Sequence, residues 1–117
     1  MAESAAGRVH LDLDLALPDP MPNLPPNVEQ CIYRIAQEAV ENAAHHANAQ
    51  RLAVRLEPEA GRWKLTVQDD GLGFDPRQNP AAGHFGLAGM KERAELSGGR
   101  LTIESQKGRG TKIVLEI

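Results

Sequence analysis

The sequence WKLTVQDDGLGFD, residues 63–75, joins a strand pattern to an acidic turn that contains two glycines. Trp63, Leu65 and Val67 alternate with polar residues, which is the period of a half-buried strand. An aspartate at the end of such a strand can accept a hydrogen bond from an exocyclic amine, and glycines let a flat ring approach the backbone. Taken alone, an acidic turn that merely closes a hairpin explains the stretch equally well.

Periodic patterns on both sides of this stretch predict about five strands and two helices. Alternating apolar residues predict strands near 9–17, 52–56 and 63–69, and a hairpin of 101–103 with 113–117. Helical spacing predicts a long helix over 28–47, with Asn27 as its N-cap, and a second helix over 86–97 that ends at two glycines. The expected fold is α+β: a two-layer sandwich in which a mixed sheet carries its helices on one face.

The composition bounds the function before any motif is considered. A chain of 117 residues with 41% hydrophobic residues fits one globular domain over 1–117, and 3% aromatic residues imply an aliphatic core. A net charge of -3 gives no electrostatic case for nucleic acid or an anionic membrane surface. A single cysteine excludes an intrachain disulfide, and no apolar run is long enough to span a bilayer. We therefore expect a cytoplasmic domain without direct membrane contact.

Four polar residues of the predicted long helix lie close together on its surface. At about 100° per residue, Glu38, Asn42 and His45 form one stripe and His46 lies beside it. An Asn amide oxygen can bind a hard cation, and a glutamate one turn away can orient a water molecule. A solvated helix face with an i,i+4 polar pair accounts for the same spacing, and the helix alone favours that interpretation.

Two further glycine-rich segments follow. Residues 83–90 (GHFGLAGM) precede or begin the second helix, where exposed backbone N–H groups favour phosphate oxygens, although a plain loop-to-helix junction is commoner. Residues 108–111 (GRGT) are consistent with a simple hairpin turn. Residues 76–83 contain no large apolar anchor, so a mobile flap is expected there.

The order of these segments changes their interpretation. Glu38 and Asn42, then Asp70 with Gly71 and Gly73, then residues 83–90 and finally Gly110-Thr111, resemble the nucleotide-binding boxes of the GHKL ATPases. The phrases YRIAQEA (33–39), NAAHHA (42–47) and GLAGMKERA (86–94) are most similar to the catalytic ATP-binding domain of sensor histidine kinases of the nitrate- and lipid-sensor (NarL-type) subfamily. This resemblance covers nearly the whole chain and implies the Bergerat ATP-binding fold.

The resemblance also implies roles for individual residues. Asn42 would bind the Mg²⁺ that bridges the ATP phosphates, Glu38 would orient water or act as the base, and Asp70 would accept the adenine amine, with Thr111 assisting through a water. The ATP-binding set that it implies is Asn42, His45, His46, Asp70, Gly71, Gly73, Gly83, His84, Phe85, Gly86, Leu87, Gly110 and Thr111. Relatives commonly have Lys or Arg at the position of His45, so phosphate binding here is expected to be weaker or more dependent on pH.

The implied function is transfer of the ATP γ-phosphoryl group to a histidine, followed by relay to a cytoplasmic response regulator. The phosphoacceptor histidine would lie on a dimerisation domain that is absent from this sequence, so little autophosphorylation is expected from this piece. Three alternatives stay open: a serine kinase of the anti-sigma-factor type, a non-catalytic ATP-sensing module and, least favoured, a purely structural interaction domain. Gyrase- or Hsp90-like ATPases are disfavoured because they use longer lids.

Overall fold

The computed structural model describes residues 11–45, 47–74 and 87–117. The chain contains two helices, and each is followed by two consecutive strands. The elements are β1 (Asp12–Ala16), α1 (Pro26–His45), β2 (Arg51–Glu59), β3 (Arg62–Asp69), α2 (Leu87–Leu96), β4 (Arg100–Ser105) and β5 (Thr111–Glu116).

The five strands form one mixed sheet in the order β1-β2-β3-β5-β4. The β1 strand pairs with β2 in parallel, and every other neighbouring pair is antiparallel. A two-residue turn joins β2 to β3, and its residues Ala60 and Gly61 both have positive φ. Such a turn matches the right-handed twist of the two strands that it joins. The sheet confirms the predicted fold class.

Both helices pack on the same face of the sheet, so the prediction of helices on one face is confirmed. Alternate residues of each strand point to this face because side chains in a strand have a period of two. The core is aliphatic, as the composition indicated. Its buried members are Cys31, Ile32, Ile35, Ala39, Ala43, Ala49, Leu52, Val54, Leu56, Leu65, Val67, Met90, Ala94, Leu101, Ile113 and Leu115.

The start of α1 differs from the prediction. Asn27 was expected as the N-cap, but the helix begins at Pro26 and Asn27 lies inside its first turn. The carbonyl of Pro25 accepts hydrogen bonds from the backbone N–H groups of Val28 and Glu29, each at 3.0 Å. A proline suits the first helical position because its φ is already helical and its missing N–H would have no intrahelical partner. The Asn27 prediction is therefore wrong.

The other boundaries agree within a few residues. The α1 helix ends at His45 instead of residue 47, and α2 covers Leu87–Leu96 instead of 86–97. The predicted flap (76–83), the N-terminal part of the first predicted strand and the side chain of His46 lie outside the described residues, as do Gly83, His84, Phe85 and Gly86. Among the residues that are described, no helix has the length and apolar character needed to cross a membrane.

Candidate functional site

Polar residues replace the apolar core at one end of the sheet. Strand pairing places Asp69 opposite Thr111, and Thr111 opposite Ser105, across three neighbouring strands. All three share the face that buries Val67 and Ile113, because each lies two residues from a core-facing position along its own strand. We call Asp69, Thr111 and Ser105 the polar row. The polar row faces the helices, where a polar group that is shielded from water needs a hydrogen-bond partner.

Asp69 is the acidic member of the polar row. Its Oδ1 atom accepts a hydrogen bond of 2.8 Å from the backbone N–H of Gly71. Burial raises the pKa of the Asp69 carboxyl, although hydrogen bonds from the backbone N–H groups of Gly71 and Thr111 oppose this rise. The fold therefore shields the Asp69 carboxylate partly from water. Such a group gains from a ligand that donates a hydrogen bond to it.

Asp70 occupies a different environment, and the sequence prediction for it has to be corrected. Its Oδ1 accepts hydrogen bonds from the backbone N–H groups of Gln50 and Arg51, both at 2.9 Å. The bond from Arg51, and next to it the bond from Gln50, lower the pKa of the exposed Asp70 carboxyl. Asp70 thus connects the end of β3 to the start of β2. Period-2 alternation turns it away from the face that carries Asp69.

The glycines after the two aspartates allow close backbone packing. A side chain at Gly71 would collide with the carbonyl group and Cβ of Ala47, just beyond α1, and one at Gly73 would collide with the carbonyl groups of Gln106 and Gly110. Gly73 also has a φ of 64°. The turn is therefore held between the end of α1 and the β4–β5 hairpin. Its backbone hydrogen bonds are Leu72 N to Ala47 O, 2.7 Å, and Gly108 N to Leu72 O, 2.6 Å.

A cleft opens between this turn, α1 and the polar row. Its volume, including the open space at its mouth, is about 620 Å³. Most of its walls are apolar, and the polar side chains that line it are those of Asn42, Asp69 and Thr111. The remaining lining residues are Ala39, Ala47, Val67, Leu72, Gly73, Phe74, Leu87 and Ile113.

The cleft brings together some of the predicted residues and not others. Asn42, Gly73, Leu87 and Thr111 line it, as do several residues that were not predicted. Glu38 is half-buried one helical turn before Asn42, and exposed His45 is the last residue of α1. Neither is among the described residues that line the cleft, nor are Asp70, Gly71 and Gly110.

Sequence reasoning missed Ser105, which lies beside the cleft. Its hydroxyl accepts a hydrogen bond from the backbone N–H of Phe74 at 2.9 Å. It also donates to the carbonyl of Gly110 at 3.0 Å and lies 2.9 Å from Thr111 Oγ1. Ser105 therefore joins the end of the glycine turn to the β4–β5 hairpin. Alternation from Leu101 and Ile103 would have indicated that it faces inward.

Comparison with known proteins identifies the family. The family model of the histidine kinase-, DNA gyrase B- and HSP90-like ATPases matches residues 27–117. This chain belongs to that ATPase family. The match contains α2, all of α1 except its first residue, the acidic turn and the polar row. It therefore includes every residue that lines the cleft.

Two similar proteins are named as histidine-protein kinases. The histidine-protein kinase/phosphatase DegS of Brevibacillus brevis is 37% identical over 93 residues, which are 80% of this chain and 24% of that protein. DegS of Bacillus subtilis (strain 168) is 38% identical over 96 residues, 80% of this chain and 25% of that protein. This chain therefore spans about a quarter of the length of these relatives.

A solved structure supports the same fold. The histidine kinase domain of the blue-light activated histidine kinase of Erythrobacter litoralis EL346 superposes with a TM-score of 0.78 at 22% identity. The alignment covers 95% of this chain and 56% of that one. At this level of identity the similarity concerns the fold alone. It extends the agreement to nearly the full length of this ATPase-family chain.

Proposed function

We propose that this domain binds ATP, with the adenine ring in the cleft and its amine directed at Asp69. The observation that carries the proposal is a half-buried carboxylate in a cleft whose walls are mostly apolar. An ionised carboxylate only accepts hydrogen bonds, and an exocyclic amine only donates them. The adenine amine thus supplies the partner that the desolvated Asp69 needs.

The other cleft residues fit a flat, largely apolar base. Val67 and Ile113 form part of the wall next to the polar row, and Leu72 and Phe74 belong to the turn. Aliphatic and aromatic side chains pack against a purine without fixing its identity, whereas a few polar groups fix its orientation. Asp69 and Thr111 are placed for that second task.

Asn42 is the residue in the cleft that suits Mg²⁺. Magnesium takes one or two protein ligands beside phosphate oxygens and waters, and an amide oxygen is an acceptable ligand. Within the described ranges, no group of three or more His, Cys, Asp or Glu residues could hold a metal alone. The cation would therefore arrive with the nucleotide and neutralise phosphate charge. Glu38, one turn before Asn42, would orient the group that attacks the γ-phosphoryl.

We further propose that the whole protein is a protein-histidine kinase of two-component signalling. The γ-phosphoryl would pass to a histidine of its own dimerisation domain and then to a cytoplasmic response regulator. The names of the relatives, histidine-protein kinase/phosphatase, support this activity. The finer assignment to the NarL-type subfamily rests on the three sequence phrases at 33–39, 42–47 and 86–94 and stays a prediction. Two more statements stay predictions: that residues 1–117 form a single catalytic domain, and that this domain is cytoplasmic.

The first test is calorimetric binding of a non-hydrolysable ATP analogue to this chain, with and without Mg²⁺. Binding that Mg²⁺ strengthens and that Asp69→Asn weakens supports the proposed orientation. Weakening by Asp70→Asn instead of Asp69→Asn would contradict it. Phosphohistidine formation by the full-length protein, lost on Asn42→Ala, separates a kinase from a module that only senses ATP.

A further inference from the structure

The hydroxyl of Ser105 takes part in three short polar contacts at the inner edge of the cleft. Phe74 N–H donates to Ser105 Oγ at 2.9 Å, and Gly110 O lies 3.0 Å from the same atom. Thr111 Oγ1 lies at 2.9 Å, a distance at which either hydroxyl could donate. Phe74 and Thr111 both line the cleft, so Ser105 contacts two of its walls.

Counting protons leaves one arrangement that makes all three contacts hydrogen bonds. A serine hydroxyl has one proton and two acceptor lone pairs. The carbonyl of Gly110 can only accept, so the proton of Ser105 is directed to it. The backbone N–H of Phe74 can only donate, so it uses one lone pair of Ser105. The remaining lone pair must accept the proton of the Thr111 hydroxyl.

We propose that Ser105 is a positioning residue that fixes the direction of the Thr111 hydroxyl and thereby sets the selectivity of the cleft for a 6-amino purine. This inference rests on the proposed ATP function. With its proton held by Ser105, Thr111 Oγ1 presents only lone pairs to the cleft. Asp69, its cross-strand neighbour, is likewise an acceptor when ionised.

Two neighbouring acceptors favour a base that donates at position 6. Adenine carries an amine there and satisfies Asp69 directly and Thr111 directly or through a water. Hypoxanthine carries a carbonyl at the same position, and its oxygen would face acceptors without a proton between them. A polar site that leaves such groups unpaired discriminates more strongly than an apolar one. A freely rotating Thr111 hydroxyl would lose part of this discrimination, since it could donate to the carbonyl.

The test compares calorimetric affinities for ADP and inosine diphosphate in wild type, Ser105→Ala and Thr111→Val. We expect the ADP preference of the wild type to fall by about threefold to tenfold in Ser105→Ala. Thr111→Val should lower it similarly, and Ser105→Ala should add little to Thr111→Val because both act through one hydroxyl. Thr102→Val is the control. It removes a hydroxyl from β4, the strand of Ser105, but from the exposed opposite face of the sheet, so the ratio of the ADP and inosine diphosphate affinities should not change.

The outcomes separate this inference from the proposed function. A wild-type chain that binds neither nucleotide contradicts the ATP proposal itself. ADP-selective binding that persists unchanged in Ser105→Ala or in Thr111→Val overturns the role of Ser105 while leaving that proposal in place. A general loss of stability would weaken the binding of both nucleotides alike and would not change the ratio of their affinities. Should Ser105→Ala fail to fold, Thr111→Val still decides whether the hydroxyl contributes to selectivity.

Discussion

The carboxylates of Asp69 and Asp70 are adjacent in sequence and serve opposite sides of the sheet. Asp69 Oδ1 accepts a hydrogen bond from Gly71 N at 2.8 Å beside the cleft, whereas Asp70 Oδ1 accepts bonds from Gln50 N and Arg51 N at 2.9 Å. Burial raises the pKa of the first, and backbone hydrogen bonds lower the pKa of the second. One aspartate is thus available to a ligand, and the other joins two strands.

This division predicts different effects on nucleotide binding. Asp69→Asn replaces an acceptor-only carboxylate by an amide and should reduce ADP affinity roughly ten- to hundredfold, since a buried hydrogen bond to the adenine amine is lost. Asp70→Asn is the matched control, because its amide oxygen can still accept from Gln50 and Arg51. We expect it to change the affinity by less than about threefold. Calorimetry on both variants is the measurement, and equal losses would contradict the assignment.

The two carboxyls also predict opposite dependences of stability on pH. The native state binds a proton on Asp69 more tightly than the unfolded chain does, so this group's contribution falls as pH rises from the ordinary value of about 3.9 through the raised native pKa. Asp69→Asn removes that loss. It should therefore gain stability relative to wild type as pH rises through this window and keep the gain at neutral pH.

Asp70 supplies the opposite sign as a control. Its native pKa is lowered, so its stabilising contribution is present above the ordinary value and disappears as pH falls through the native pKa. Asp70→Asn should consequently be less stable than wild type at neutral pH, and its stability should approach that of wild type in acid. Urea unfolding from acid to neutral pH measures both variants. Parallel pH profiles for the two would be inconsistent with the described environments.

Alanine at Gly110 should destabilise the fold by a steric clash, in addition to the strain of a left-handed backbone conformation. Gly108 and Gly110 have φ values of 81° and 80°, so alanine at either position should cost about 1–2 kcal/mol. A side chain at Gly108 meets open space, whereas one at Gly110 would collide with the carbonyl group of Asp69. Gly110→Ala should therefore lose roughly 1–3 kcal/mol more than Gly108→Ala. Thermal or urea unfolding measures this difference, and similar losses would argue against the close packing.

Much of the fold followed from the period of the apolar residues, and the same rule could have corrected one error. Because Leu65 and Val67 face the core, Asp69 must share their face and Asp70 must not. The motif comparison instead assigned the adenine contact to Asp70. The start of α1 was harder to predict, because consecutive prolines and Asn27 each suit a helix N-terminus.

The contacts of Ser105 were beyond the sequence. Alternation indicates that Ser105 faces inward, but its bond to Phe74 joins residues 31 positions apart. That contact depends on the register of the β4–β5 hairpin and on the path of the glycine turn over it. Local patterns do not determine how a turn after one strand meets the hairpin formed by two others. The position of Thr111 opposite Asp69 is likewise a product of pairing between distant strands.

The position of His45 predicts an effect of charge on the phosphates of ATP and not on its adenine. His45 is the last residue of α1, three positions after the cleft-lining Asn42, and its ring is exposed. A lysine there would bring a fixed positive charge to the end of the helix, so His45→Lys should bind ATP about two- to tenfold more tightly than wild type. Adenosine, which has no phosphates, should bind both proteins equally.

Gln30→Lys is the matched control for His45→Lys. It adds a positive charge about 22 Å away along α1 and should have little effect on ATP binding at ordinary salt. Calorimetric titrations of the three proteins with ATP and with adenosine measure these differences. Equal ATP affinities of His45→Lys and wild type would show that residue 45 does not lie near the phosphates.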